Sequence, residues 1–242
     1  MHKNLLSIIL VIVVLIIVAI LLFPKKSNPV PKTNSQTLPG DSAATVQYMP
    51  LGDSYTIGEG VREQDRFPNQ LTTRLREKGY SIELLNNPSR TGYTTLDLIE
   101  RELPVLKNSN ANLISLLIGV NDQVRGTDTE TFRTRFVSVL DKVKATKPQA
   151  RIFILTIPNY SLTPSGKKFG NSTKNTEELT VYNKIINEEA RKKNIPVVDI
   201  WEISQSVSDT PSLTTGDGLH PSAKHYTLWA DKILPTAESI LR

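Results

Sequence analysis

The chain has 242 residues, no cysteine, 22% charged residues and a formal net charge of +5. That length suits one sizeable globular core behind an extension. Without a thiol, disulfides, thiolate catalysis and cysteine-ligated zinc or iron-sulfur clusters are excluded, and no basic stripe interleaved with aromatics marks a nucleic-acid partner.

The first element is Leu5 to Phe23, an apolar run broken only by Ser7. As a helix it spans roughly 28 Å, close to the hydrocarbon thickness of a bilayer. Residues 1–23 therefore read as a single-pass transmembrane signal-anchor. A cleaved secretory signal is the alternative, but the run is longer than an ordinary h-region and is followed by Phe23-Pro24-Lys25-Lys26 with no small-x-small cleavage site. Residues 24–45 turn to Pro, Ser, Thr, Asn and Lys, a composition that buries too little to fold and makes a flexible linker. Lys3 against Lys25, Lys26 and Lys32 favours the opposite orientation for a secreted domain, but long domains translocate regardless of flanking charge. A tether of this kind suits an enzyme held off the outer face of the cell membrane, so the catalytic domain is expected to be extracytoplasmic. Lys3, Lys25, Lys26 and Lys32 against Asp41 account for +3 of the net charge, which leaves +2 for the rest and little case for a polyanionic partner.

Residues 46–242 form the expected folded domain. Val46 to Leu51 reads as a first strand, Pro68 to Lys78 as a helix, Ile82 to Asn86 as a strand, and Thr95 to Leu106 as a helix with Thr94 or Thr95 as its N-cap. Asn112 to Ile118 is apolar on both faces, as a central strand should be. The helix Glu130 to Thr146 places Phe132, Phe136, Val139, Leu140 and Val143 on one stripe. A strand at Arg151 to Ile157, a polar loop or flap from Pro158 to Thr176, and a helix at Glu177 to Lys193 with Leu179, Tyr182, Ile185 and Ile186 facing inward come next. A last strand, Pro196 to Ile200, and a helix after Pro221 complete the pattern. Strands alternating with helices predict an α/β fold around a five-stranded parallel sheet.

Three polar motifs follow strand ends in this layout: Gly52-Asp53-Ser54-Tyr55, Gly119-Val120-Asn121-Asp122 and Asp217-Gly218-Leu219-His220-Pro221. In open α/β sheets the carboxyl ends of strands converge on one crevice. A serine hydroxyl needs a base to take its proton, an anion to fix the tautomer of that base, and donors for the developing oxyanion. Ser54, His220, Asp217 and Asn121 can fill those roles.

These blocks, with Asn87-Pro88-Ser89-Arg90-Thr91-Gly92 between the first two, resemble those of the SGNH (GDSL-type) hydrolases, and among them the bacterial lysophospholipase and thioesterase-type esterases. The resemblance covers about residues 46 to 240. It implies a three-layer α/β/α, flavodoxin-like fold and hydrolysis of carboxylic acyl esters by a monomer with no cofactor and no metal. It assigns Ser54 as nucleophile, His220 as base and Asp217 as its orienting acid. The backbone amides of Ser54 and Gly92 and the side-chain amide of Asn121 would form the oxyanion hole. Lysophospholipid or other lipid, thioester and acetylated glycan are all substrates open to such an enzyme.

Other residues carry blander expectations. Asp53 and Asp122 read as turn-closing residues, His225 as a surface residue of the last helix, and Arg90 and Arg125 as solvated or structural. Tyr55 and Tyr93 line either the pocket or the core, and Gly58 and Gly60 shape the loop beyond Ser54. A metal-dependent phosphoesterase is a rival reading, but three histidines, one of them His2, are few for a two-ion site. A catalytically silent module that binds cell-wall glycan is the other.

Overall fold

The computed structural model describes residues 45–242. The expected transmembrane segment and linker lie outside the described residues, among which no helix is long and apolar enough to cross a membrane. The sheet has five parallel strands in the order β2-β1-β3-β4-β5: β1 (Val46–Gly52), β2 (Ile82–Leu84), β3 (Leu113–Leu117), β4 (Arg151–Leu155) and β5 (Val197–Val198). This is an order of doubly wound sheets, with its switch point between β1 and β3.

Helix α1 (Ser54–Ile57) follows β1, and α2 (Phe67–Glu77) leads to β2. The segment between β2 and β3 is one helical rod in three parts: α3 (Thr95–Asp97), a π-helical turn (Leu98–Glu102) and α4 (Leu103–Lys107). Next come α5 (Val120–Val124), α6 (Thr129–Thr146), α7 (Ser172–Lys192), α8 (Trp201–Gln205) and α9 (Ala223–Leu241). Helices α2 and α9 pack on each other, while α6 packs on α7 and on α3 and α4, so the helices fall into two groups. Right-handed crossovers from β1 outward to β2 and back through β3 to β5 require that division.

The core follows the apolar pattern closely. All of β3 is buried, as are Phe132, Phe136, Val139, Leu140 and Val143 of α6 and Leu179, Tyr182, Ile185 and Ile186 of α7. Full burial of a side chain of this size stabilises by about 1.5–3 kcal/mol. Thr94 is the N-cap of α3 and forms a capping box with Asp97.

Two expectations need correction. The polar stretch from Pro158 is a loop only to Asn171, whose side chain caps α7 at the amide of Lys174, so that helix begins at Ser172. His225 is not a surface residue: it is 2% exposed, its Nδ1 lies 3.2 Å from the Leu213 carbonyl, and its ring packs against Trp229. The first turn of α9 faces the loop before it, and a charge-capable residue there lies under that loop.

Candidate active site

The turn after β1 is built by close packing. Gly52 has φ 156°, and a Cβ there would lie 2.2 Å from the Leu117 carbonyl of β3 and 2.4 Å from Thr56 Oγ1, so only glycine fits. Its amide donates to Glu102 Oε2 at 2.9 Å. Asp53 caps α1 by accepting from the Tyr55 amide at 3.0 Å, which sets Ser54 as the first helical residue, 5% exposed. The Ser54 amide has no acceptor among the described residues.

Two more loops close on that turn. Asn87 Nδ2 donates to the Thr56 carbonyl at 2.9 Å, which ties the second block to the first. Gly92 adopts φ 82°, and its amide has no acceptor among the described residues, while its carbonyl accepts from Arg125 Nη2 at 2.7 Å. After β3, Asn121 Nδ2 donates to the Tyr93 carbonyl at 3.0 Å and, at 3.3 Å, to Asp53 Oδ2. Asp122 is fully buried and accepts from the Thr95 amide and hydroxyl at 2.9 and 2.6 Å. Both aspartates therefore do the turn-closing work expected of them. Arg125 braces a loop, and the exposed Arg90 contacts the carbonyl of its neighbour Ser89.

Asp217 and His220 sit on one loop, whose backbone Ser165 holds from outside through the Asp217 and Gly218 carbonyls. Asp217 Oδ1 accepts from the Thr215 hydroxyl at 2.6 Å and from the amides of Leu219 and His220 at 2.7 and 3.0 Å, while Oδ2 meets His220 Nδ1 at 2.6 Å. Partial burial pushes this carboxyl up, but the hydrogen bonds from Thr215, the His220 ring and the two amides outweigh it and hold it at about 2. A carboxylate thus faces Nδ1, which fixes the proton there and leaves Nε2 as the basic nitrogen.

Ser54, Gly92, Asn121 and His220 line one pocket of about 130 Å³, with Asp217 behind the imidazole. Its other walls include Tyr55, Val120, Val124, Tyr160 and Phe169, so Tyr55 serves pocket and core together. No direct hydrogen bond joins Ser54 Oγ to His220 among the described residues, a looseness common in sites without substrate.

Three acidic groups deepen the picture, two of them absent from any sequence expectation. Asp53 is raised to about 8 by burial and by the charge of Asp122, against the Tyr55 amide and Asn121. Glu102 is pushed well above the carboxylate range by burial, against the Gly52 amide, and its Oε1 has no partner among the described residues. Glu59 stands 3.9 Å from His220 Nε2 and accepts from the Thr91 hydroxyl. Glu59, Asp217 and His220 form a grouping with metal-ligand spacing, although Asp217 Oδ2 and His220 Nδ1 face each other.

Over 240 aligned residues the chain is 25% identical to a multidomain esterase of Ruminococcus flavefaciens, with 83% of this chain and 29% of that protein covered, so the chain spans less than a third of that relative. It is 21% identical to Esterase TesA of Pseudomonas aeruginosa, covering 82% of this chain and 91% of that one. Among solved structures, a crystal structure of TesA superposes with a TM-score of 0.66 at 19% identity, covering 80% of this chain and 99% of that chain. The model of the GDSL-like Lipase/Acylhydrolase family matches residues 51–228, and the chain belongs to that family, the SGNH hydrolases, which are enzymes of carboxylic ester hydrolysis.

Proposed function

We propose that this chain hydrolyses short to medium acyl esters through an acyl-enzyme on Ser54. The observation that carries this reading is that His220, held at Nδ1 by Asp217, lines the same pocket as Ser54, Gly92 and Asn121. Ser54 Oγ attacks the ester carbonyl carbon and its proton passes to His220 Nε2. The oxyanion accepts from the Ser54 and Gly92 amides, neither of which has another acceptor among the described residues, and from Asn121 Nδ2. Nδ2 bonds the Tyr93 carbonyl at 3.0 Å and makes a longer, 3.3 Å contact with Asp53 Oδ2, and a small rotation of the whole side-chain amide exchanges that longer contact for the oxyanion. Collapse breaks the ester C–O bond, and His220 returns the proton to the departing alcohol. Water, deprotonated by the same imidazole, then attacks the acyl-enzyme carbonyl, releasing the acid and restoring Ser54.

Apolar walls from Val120, Val124, Tyr160 and Phe169 favour an acyl chain, and a pocket of about 130 Å³ suits a short chain rather than a full lipid tail. Membrane attachment by residues 1–23, with the domain on the outer face of the cell membrane, rests on the apolar run and the linker composition. The experiment is turnover of p-nitrophenyl esters of increasing chain length, with fluorophosphonate labelling, for wild type and Ser54→Ala. Activity and label should both vanish in the variant. Turnover that persists in Ser54→Ala, or that disappears with a chelator, defeats the serine reading.

A further inference from the structure

Glu59 takes no part in the mechanism above, yet it is built into the same turn. Gly58 ends α1 in the left-handed region at φ 71°, and the Glu59 amide donates back to the Ser54 carbonyl at 3.0 Å. The side chain therefore reaches out beside the nucleophile rather than away from it. Its Oε2 accepts from Thr91 Oγ1 and lies 3.9 Å from His220 Nε2, with the side chain 39% exposed. No lysine or arginine pairs with it among the described residues.

The position of Nε2 gives this carboxylate a direction relative to substrate. Nε2 returns the proton to the departing alkoxide, so the alcohol oxygen must come within about 3 Å of it. A carboxylate oxygen 3.9 Å from Nε2 then stands beside the substituents on the alcohol, not beside the acyl chain. The acyl chain has its own apolar walls in Val120, Val124 and Phe169. An ionised carboxylate accepts hydrogen bonds and donates none, so it rewards an O–H beside the ester oxygen and repels an anion.

We infer that Glu59, oriented by Thr91, forms an alcohol-side subsite that selects esters whose alcohol carries a free hydroxyl next to the ester oxygen, as partially acylated polyols and sugars do, and that disfavours alcohols bearing phosphate. The inference rests on the Ser54 and His220 reading above, and its test is arranged to separate the two.

The full chain in detergent is assayed for kcat/KM on four acetates: ethyl acetate, 2-hydroxyethyl acetate, 1-acetylglycerol 3-phosphate and p-nitrophenyl acetate. The first two differ by the one hydroxyl at issue. Wild type should favour 2-hydroxyethyl over ethyl acetate by about tenfold or more, the usual worth of a hydrogen bond to a charged group. Glu59→Ala should bring that ratio close to one, while ethyl and p-nitrophenyl acetate stay within about threefold of wild type. Glu59→Gln, which keeps an acceptor but drops the charge, should retain part of the ratio and raise turnover of the phosphate ester about tenfold. Thr91→Val should weaken the ratio in the same direction. An equal loss on all four acetates would mean that Glu59 only positions His220, and it overturns the inference, as does a hydroxyl preference that survives Glu59→Ala. Should Ser54→Ala keep its p-nitrophenyl acetate activity, the catalytic reading has failed; should it be dead while Glu59→Ala is indifferent, only the subsite has.

Discussion

The nucleophile turn and the base-bearing loop do comparable jobs in the same pocket, but they are held by different forces. The side chains of Asp217 and His220 are fixed by hydrogen bonds within Thr215 to His220, and the backbone of that loop is pinned from outside by Ser165, whose Oγ donates to the Asp217 carbonyl at 2.6 Å and whose amide donates to the Gly218 carbonyl at 2.8 Å. Ser54 is fixed by partners far away in sequence: Leu117 against Gly52, Glu102 on its amide, and Asn121 on Asp53. The carboxylate–imidazole pair needs only loop neighbours and one outside residue, whereas the nucleophile turn exists only when the sheet does. Damage to the first should therefore appear in turnover, and damage to the second in stability as well.

The largest effect tests that division in the loop. In Asp217→Asn the side-chain oxygen can still accept from the Leu219 and His220 amides, so the loop should keep its shape. The amide that replaces Oδ2, however, faces Nδ1 with a donor and favours the tautomer whose Nε2 carries the proton. The expected loss in kcat is about 10³–10⁴-fold, with a thermal midpoint near that of wild type. A large fall in midpoint alongside the activity would show that the loop depends on the carboxylate for its fold, and the contrast would break.

The same difference explains what was legible in the sequence. Ser54, Asn121, Asp217 and His220 stand in short blocks at predicted strand ends, so residue type and position together placed them in one crevice. Gly92 came only through the family resemblance, because a glycine near Pro88 looks like any other turn residue. Glu59 and Glu102 gave no signal: one follows a glycine in a loop, and the other sits in a helical rod where a glutamate reads as solvent-facing. Glu102 stands four residues from Leu98 and four from Leu106 on the buried stripe of the rod, at 0% exposure, but its residue type points to solvent. His225 likewise stands four residues before Trp229 on the stripe that continues through Ile233 and Ala237, so helical spacing turns it inward although its residue type suggests the surface.

A second prediction concerns the far-reaching side of the contrast. Burial disfavours the charged form of Glu102, and Glu102→Gln keeps the shape and an acceptor for the Gly52 amide. It should cost less than about 1 kcal/mol in urea unfolding. Glu102→Ala leaves the buried Gly52 amide without an acceptor and opens a void beside it, which together cost about 2–5 kcal/mol. Its turnover should fall too, because Gly52 sets the entry to Ser54. If alanine is as mild as glutamine, Glu102 does not hold the turn.

The smallest effect sharpens the contrast through pH. Burial lowers His225 to about 4, against the opposing pull of the Leu213 and Ile203 carbonyls. A folded-state value depressed below the ordinary 6.5 of a histidine means that the unfolded chain takes up this proton first as pH falls. Stability is therefore lost between about pH 6.5 and 4, by about 2–4 kcal/mol in all. Asp53 moves oppositely: raised to about 8, it keeps its proton longer in the folded state, so its contribution is full below the ordinary carboxylate range and fades as pH rises toward 8. Acid thus favours the nucleophile turn and undermines the helix start beneath the base-bearing loop, where Leu213 also accepts from the Ser222 amide at 2.8 Å. Urea midpoints from pH 7.5 to 4.5 for wild type and His225→Gln should check this. The variant should be less stable at pH 7.5 but shallower in slope, with the two curves converging toward pH 4; parallel curves would show that His225 is protonated alike in both states and carries none of the acid sensitivity.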